Sequence, residues 1–174
     1  YTDTKGKLHL FKQNQDHSFT PIGKELGFTK SEYRTPNRIR TFDYDLDGDM
    51  DILFSGGANN HLILLKNEIG NKNNHVTFKL SGLNGANKLA VGSKIKVYRN
   101  GQVLTREVNA GYGNASGQDG FLQIFGIGQE NQIDSAVVHW PNREHSITTY
   151  YDIEANTLVK AGSHVPQKDR DALV

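Results

Sequence analysis

Five aspartates fall on alternate residues from Asp43 to Asp51: Asp43, Asp45, Asp47, Asp49 and Asp51, with Gly48 between the third and the fourth. Like charges packed so densely along the chain repel one another unless something offsets them. A hard divalent cation does so by taking oxygen ligands from several carboxylates at once. The chemistry that this spacing points to is coordination of an ion by oxygen, with calcium as the expected ion.

The register fits the first nine positions of a calcium loop of the EF-hand type. Asp43, Asp45 and Asp47 supply side-chain oxygens at positions 1, 3 and 5, and Gly48 makes the sharp turn at position 6. The Asp49 carbonyl serves position 7 and Asp51 closes the sphere at position 9. Position 12 holds Phe54 in place of glutamate. Thr41-Phe42 leads in and Ile52-Leu53-Phe54 leads out, and both read as strand rather than as amphipathic helix. The expectation is a calcium loop between two β-strands, a staple for the fold. A cytosolic calcium sensor ranks last, for want of a paired loop and of helices to move. A solvated acidic turn accounts for the charges but not for periodic Asp and glycine agreeing in one register.

Other chemistry-bearing residues are dispersed. The seven histidines (9, 17, 61, 75, 139, 145 and 164) contain no pair at helical zinc spacing, so strand-face or surface positions are the default. Outside the acidic loop, Glu25, Glu32, Glu107, Asp119, Glu130, Asp134 and Glu144 form no carboxylate pair that the sequence identifies, and no Ser or Thr stands in a nucleophile elbow. The glycine-rich stretch Gly111–Gly120 lacks phosphate-loop spacing, a following helix and a closing Lys-Ser/Thr. An irregular loop is the favoured reading there. Its Tyr112, Asn114, Gln118 and Asp119 are also side chains that bind sugars or partners. Asn114-Ala-Ser116 is a glycosylation sequon, relevant only in a eukaryotic secretory setting. Trp140, the only tryptophan, is expected to anchor a core or a turn. The chain is expected to be non-catalytic.

A chain of 174 residues holds one or two domains and can bury a proper core. A net charge of +1 with scattered Lys and Arg gives no basis for nucleic-acid binding. No apolar run approaches a membrane span. Absence of cysteine excludes disulfides and thiolate sites. It does not exclude an extracellular location, and weak calcium loops fill only where calcium is near millimolar, which favours the outside of the cell. There is no initiating Met, so Tyr1 reads as an internal residue exposed by processing or as the start of a fragment.

The elements that would position the loop are all strands. Lys7–Lys12, Ser18–Ile22, Asn37–Phe42, Asp51–Phe54 and a well-buried His61–Lys66 are expected in residues 1–70. Glu68–Asn74 is a polar connector. His75–Leu80 follows, then a hairpin over Lys94–Val108 around Asn100-Gly101, the dipeptide of a type I′ turn, with Ile95 and Val97 inward. Phe121–Phe125, Asp134–Trp140, Ser146–Tyr151 and Thr157–Ala161 supply the rest. The fold class is all-β. Residues 75–161 are expected to form an antiparallel β-sandwich or small barrel, and residues 162–174 a loose tail.

Leu8-His-Leu-Phe-Lys-Gln-Asn14 with His17-Ser-Phe-Thr20, followed by Asp43–Phe54, resembles VCBS/FG-GAP repeats. The resemblance implies about one and a half blades of a calcium-binding β-propeller, with the remaining blades upstream and an open sheet edge that needs covering. Asn87-Lys88, Gly92–Val97, Arg106 to Gly113, Phe125-Gly-Ile-Gly128 and Val137-Val-His-Trp-Pro141 resemble the ASPIC/UnbV domain in the same order. Arg143 stands where that family has glycine, so its turn must be built differently. Blades followed by an ASPIC/UnbV domain imply an arrangement similar to cartilage acidic proteins. The reading that follows is a calcium-stabilised extracellular scaffold, adhesion or assembly module of a larger surface or secreted protein, with a protein partner. The alternative is a carbohydrate-binding or enzyme-accessory module using the Gly111–Gly120 loop.

Overall fold

The structure, a computed structural model, describes residues 7–14, 16–27, 37–56, 61–111 and 120–162. These residues are all-β, with twelve strands, one 3₁₀ turn at Gly70–Lys72 and no α-helix among them. The chain divides into two compact units, Tyr1–Thr41 with Asp51–Lys66, and Phe42–Met50 with Asn67–Val174.

In the first unit β1 (Phe11–Gln13) pairs antiparallel with β2 (Phe19–Pro21), Gln13 lying opposite Phe19. The turn between them is held by Asp16, whose carboxylate accepts from the Ser18 hydroxyl at 2.6 Å and the Ser18 backbone N–H at 3.0 Å. Those bonds keep the Asp16 carboxyl below its ordinary pKa. The expected strand at Lys7–Lys12 begins only at Phe11; Leu8 is nonetheless buried at 5% exposure. β3 (Asn37–Phe42), β4 (Asp51–Gly56) and β5 (His61–Leu65) form a second sheet with β4 in the centre. The expectation that β5 is well buried is overturned, since Leu62 is 72% exposed and Leu64 37%. β5 is an edge strand in which only Ile63 and Leu65 gain cover. Its unbroken apolar run had the pattern of burial on both faces; in the sheet it is covered on one.

The second unit carries seven strands in two open sheets, ordered β11-β10-β7-β8 and β12-β6-β9. They comprise β6 (Asn74–Leu80), β7 (Lys94–Arg99), β8 (Gln102–Glu107), β9 (Leu122–Gly128), β10 (Gln132–His139), β11 (Ile147–Glu154) and β12 (Thr157–Ala161). Neither sheet closes on itself, so of the two expected architectures the structure has the sandwich and not the barrel. One pairing departs from the antiparallel expectation: β12 runs parallel to β6, with Val159 opposite Phe78. The reason is connectivity, because β11 ends in one sheet and the chain crosses at Ala155-Asn156 into the other.

Alternation along the strands builds the core. Val76, Phe78, Phe125, Ile127 and Val159 from one sheet meet Ile95, Val97, Ala136 and Val138 from the other. Phe78 and Phe125 pack edge to face, ring centres 5.7 Å apart. Trp140 is in this core at 2% exposure, and its indole N–H donates to the Thr148 hydroxyl at 2.9 Å. The β7–β8 hairpin turns at Asn100 (φ 44°) and Gly101 (φ 72°), both left-handed as a type I′ turn requires. The turn at Arg143 is solved without glycine. His145 takes the left-handed position (φ 50°), and the buried Asn142 side chain bonds both the N–H and the hydroxyl of Ser146. Among the described residues no helix is long and apolar enough to cross a membrane.

Candidate metal centre

The acidic stretch runs from the end of β3 to the first residue of β4. Its path is set by its own carboxylates. Asp43 accepts from the backbone N–H of Asp47 at 3.1 Å and of Gly48 at 3.0 Å, one bond to each carboxylate oxygen. Asp47 accepts from the N–H of Asp49 at 3.2 Å. Leu46 (φ 60°) and Gly48 (φ 91°) both adopt left-handed conformations, which fold the chain back on itself. Tyr44 and Leu46 project to solvent, 57% and 77% exposed.

This fold brings three of the five aspartates together. One carboxylate oxygen from each of Asp43, Asp45 and Asp51 lies within 4.8 Å of the others. Two oxygens on one calcium, each at about 2.4 Å, are at most about 4.8 Å apart, so the spacing fits a shared ion. The donor set is hard oxygen throughout, which suits calcium or magnesium and not a soft metal. Asp51 is fully buried, Asp43 half-buried and Asp45 exposed. The side chains of Asp47 and Asp49 are not part of the group. For Asp49 the sequence pattern assigned the backbone carbonyl, not the carboxylate, to coordination.

Residues outside the pattern fix the loop. His75, at the start of β6, packs against Gly48, where an added Cβ would fall 1.9 Å from His75 Nδ1. Gly70 receives Asp49 in the same way, since a Cβ there would fall 2.6 Å from the Asp49 Cβ. Asn67 accepts from the N–H of Ile69 and of Gly70, each at 3.1 Å, and its amide reaches the Met50 carbonyl at 3.4 Å. His75 is held in turn by Asn156, whose N–H donates to the His75 carbonyl at 2.6 Å and whose side-chain oxygen accepts from the His75 N–H at 3.2 Å. In the sequence these positions read as a polar connector and a scattered histidine; the density of Gly and Asn in residues 67–74 was the only signal.

The other candidate surface, Gly111–Gly120 with Tyr112, Asn114, Gln118 and Asp119, lies outside the described residues except at its two ends.

Residues 83–168 match the ASPIC and UnbV family model. No curated protein matches the chain.

Proposed function

We propose that Asp43–Asp51 binds calcium, and that the chain is a non-catalytic, calcium-stabilised extracellular module serving scaffolding, adhesion or assembly within a larger surface or secreted protein. The convergence of the Asp43, Asp45 and Asp51 carboxylates carries this reading. Three carboxylates at that spacing, one of them fully buried, raise each other's energy unless a cation offsets the charge. Asp47 and Asp49 complete the pattern, the latter through its carbonyl. Bound calcium would fix the loop between β3 and β4 and hold the neighbouring surface rigid.

The strand–acidic loop–strand order of β3 and β4, together with the Leu8–Thr20 motif, supports reading residues 1–70 as VCBS/FG-GAP-like propeller blades. The exposed Leu62 and Leu64 of the edge strand β5 support a protein partner or further sheet on that face. Melting curves with calcium and with excess EDTA test the metal reading. Calcium is expected to raise the transition temperature and EDTA to lower it, with residues 40–55 losing amide protection first; superimposable curves contradict the proposal.

A further inference from the structure

Two asparagines are followed by glycine, Asn84-Gly85 and Asn100-Gly101, and both pairs lie outside the acidic loop. Such a pair is chemically reactive. The backbone nitrogen of the glycine attacks the asparagine Cγ, because glycine has no Cβ to block the approach. A bond from that nitrogen to Cγ closes a succinimide ring while the bond from Cγ to Nδ2 breaks. The proton of the attacking nitrogen passes to the leaving amide, which departs as ammonia. Water then opens the ring at either carbonyl and leaves aspartate or isoaspartate, with no oxidant or reductant involved.

The two pairs share a conformation and differ in their surroundings. Asn84 (φ 48°) and Gly85 (φ 85°) form a left-handed two-residue turn, as do Asn100 (φ 44°) and Gly101 (φ 72°). Attack requires the side chain to swing over the following peptide and the turn to open. Asn100 is restrained in both respects. Its side-chain amide donates to Glu130 Oε1 at 2.6 Å and its N–H to the Asp134 carboxylate at 3.1 Å, and its turn joins the paired strands β7 and β8. Asn84 is exposed, and its side-chain amide makes no hydrogen bond among the described residues. A Cβ on Gly85 would meet no atom within 4 Å. One backbone bond closes this turn, from the Ala86 N–H to the Leu83 carbonyl at 3.0 Å, and no strand lies between β6 and β7 to hold it. Local opening there costs less than opening the hairpin.

The backbone carbonyl of Asn84 has a partner of its own. It accepts from the side-chain amide of Asn142 at 3.3 Å. Asn142 is buried at 4% exposure and orients the next turn, its side-chain oxygen accepting from the Ser146 N–H at 2.9 Å. In isoaspartate the chain runs through Cγ and is one carbon longer, and the former backbone carbonyl becomes a pendant carboxylate. We infer that Asn84, and not Asn100, is a site of spontaneous deamidation, and that isoaspartate at this position releases Asn142 and loosens the turn at 142–146. The inference does not depend on calcium at Asp43, Asp45 and Asp51.

The test is incubation of the full chain at mildly alkaline pH, followed over time by tryptic peptide mapping and an isoaspartyl methyltransferase assay. The two sites fall in separate peptides, 80–88 and 100–106. Asn84 is expected to deamidate about tenfold or more faster than Asn100 in the folded protein. In urea, where only the shared dipeptide matters, the two rates should be comparable. Equal rates in the folded protein overturn the inference, as does an Asn84 that stays intact while the unfolded chain reacts. The consequence is read on the deamidated fraction, isolated by ion exchange with its isoaspartate content known, beside an Asn84→Asp variant. Isoaspartate is expected to cut the amide-exchange protection of Ser146 about tenfold or more, whereas Asn84→Asp keeps the backbone carbonyl and leaves that protection unchanged. Undiminished Ser146 protection in the isoaspartate fraction overturns the coupling to Asn142. An equal loss in Asn84→Asp also overturns it, by assigning the effect to charge.

Discussion

The imidazole of His75 occupies the space that a side chain at position 48 would need: a Cβ on Gly48 would lie 1.9 Å from His75 Nδ1 and 2.0 Å from Cε1. Gly48 also holds a left-handed conformation, φ 91°. The glycine of the acidic motif is therefore required twice, once by the turn and once by the packing of the loop on β6.

Gly48→Ala is expected to destabilise the protein by about 2–4 kcal/mol, the sum of left-handed strain and the clash. Adding His75→Ala removes the clash and leaves about 1 kcal/mol of strain. Urea denaturation of the single and double variants reads the coupling; additive effects would mean that His75 is not the obstacle.

Asp43 and Asp45 separate loop structure from metal binding. Asp43→Ala removes acceptors from the N–H groups of Asp47 and Gly48 and is expected to cost about 1–3 kcal/mol even in EDTA. Asp45 is exposed, so Asp45→Asn in EDTA should change stability by no more than about 0.5 kcal/mol. Equal losses for the two variants in EDTA would refute this division of roles.

Phe78 and Phe125 pack on each other within one sheet, β12-β6-β9, and belong to the core it shares with the other sheet, β11-β10-β7-β8. Phe125→Ala leaves a cavity between the two sheets, and a loss of about 3–5 kcal/mol is expected in chemical denaturation. A loss under about 1 kcal/mol would mean that Phe125 is not packed as described.

Tyr150 is half-buried against the core, and burial raises its phenol above the ordinary pKa of 10.0. At neutral pH both folded and unfolded chains hold this proton, so it carries no pH dependence there. Above the unfolded value the unfolded chain releases a proton that the folded chain keeps, and stability falls as pH rises. The melting temperature of Tyr150→Phe is expected to decline less steeply than that of the wild type above about pH 10. Parallel declines would remove Tyr150 as a contributor.

Much of the second unit was legible because local rules agreed with the fold. Asn100-Gly101 fixed a two-residue hairpin, and the Ile95/Val97 alternation marked the buried face. Thr157–Ala161 was placed to the residue, but its parallel pairing with β6 is a tertiary fact that no local pattern encodes. β5 misled for a related reason: Leu62 and Leu64 are strand-forming residues whose exposure depends on their place at a sheet edge. Within the acidic loop the period-two pattern identified the charged set, yet backbone bonds to Asp43 and Asp47 decide which carboxylates converge. The parts played by Asn67, Gly70 and His75 could not be read, since each reaches the acidic loop through a hydrogen bond or a packing contact with a residue at least 17 positions away.

Calcium titration of the wild type beside Asp45→Asn, followed by isothermal calorimetry, tests the central claim most directly. The account predicts saturable binding by the wild type and a loss of about tenfold or more in affinity for Asp45→Asn, with the variant's fold unchanged. Equal calcium affinity in the two proteins, or no heat in the wild type at millimolar calcium, would contradict it.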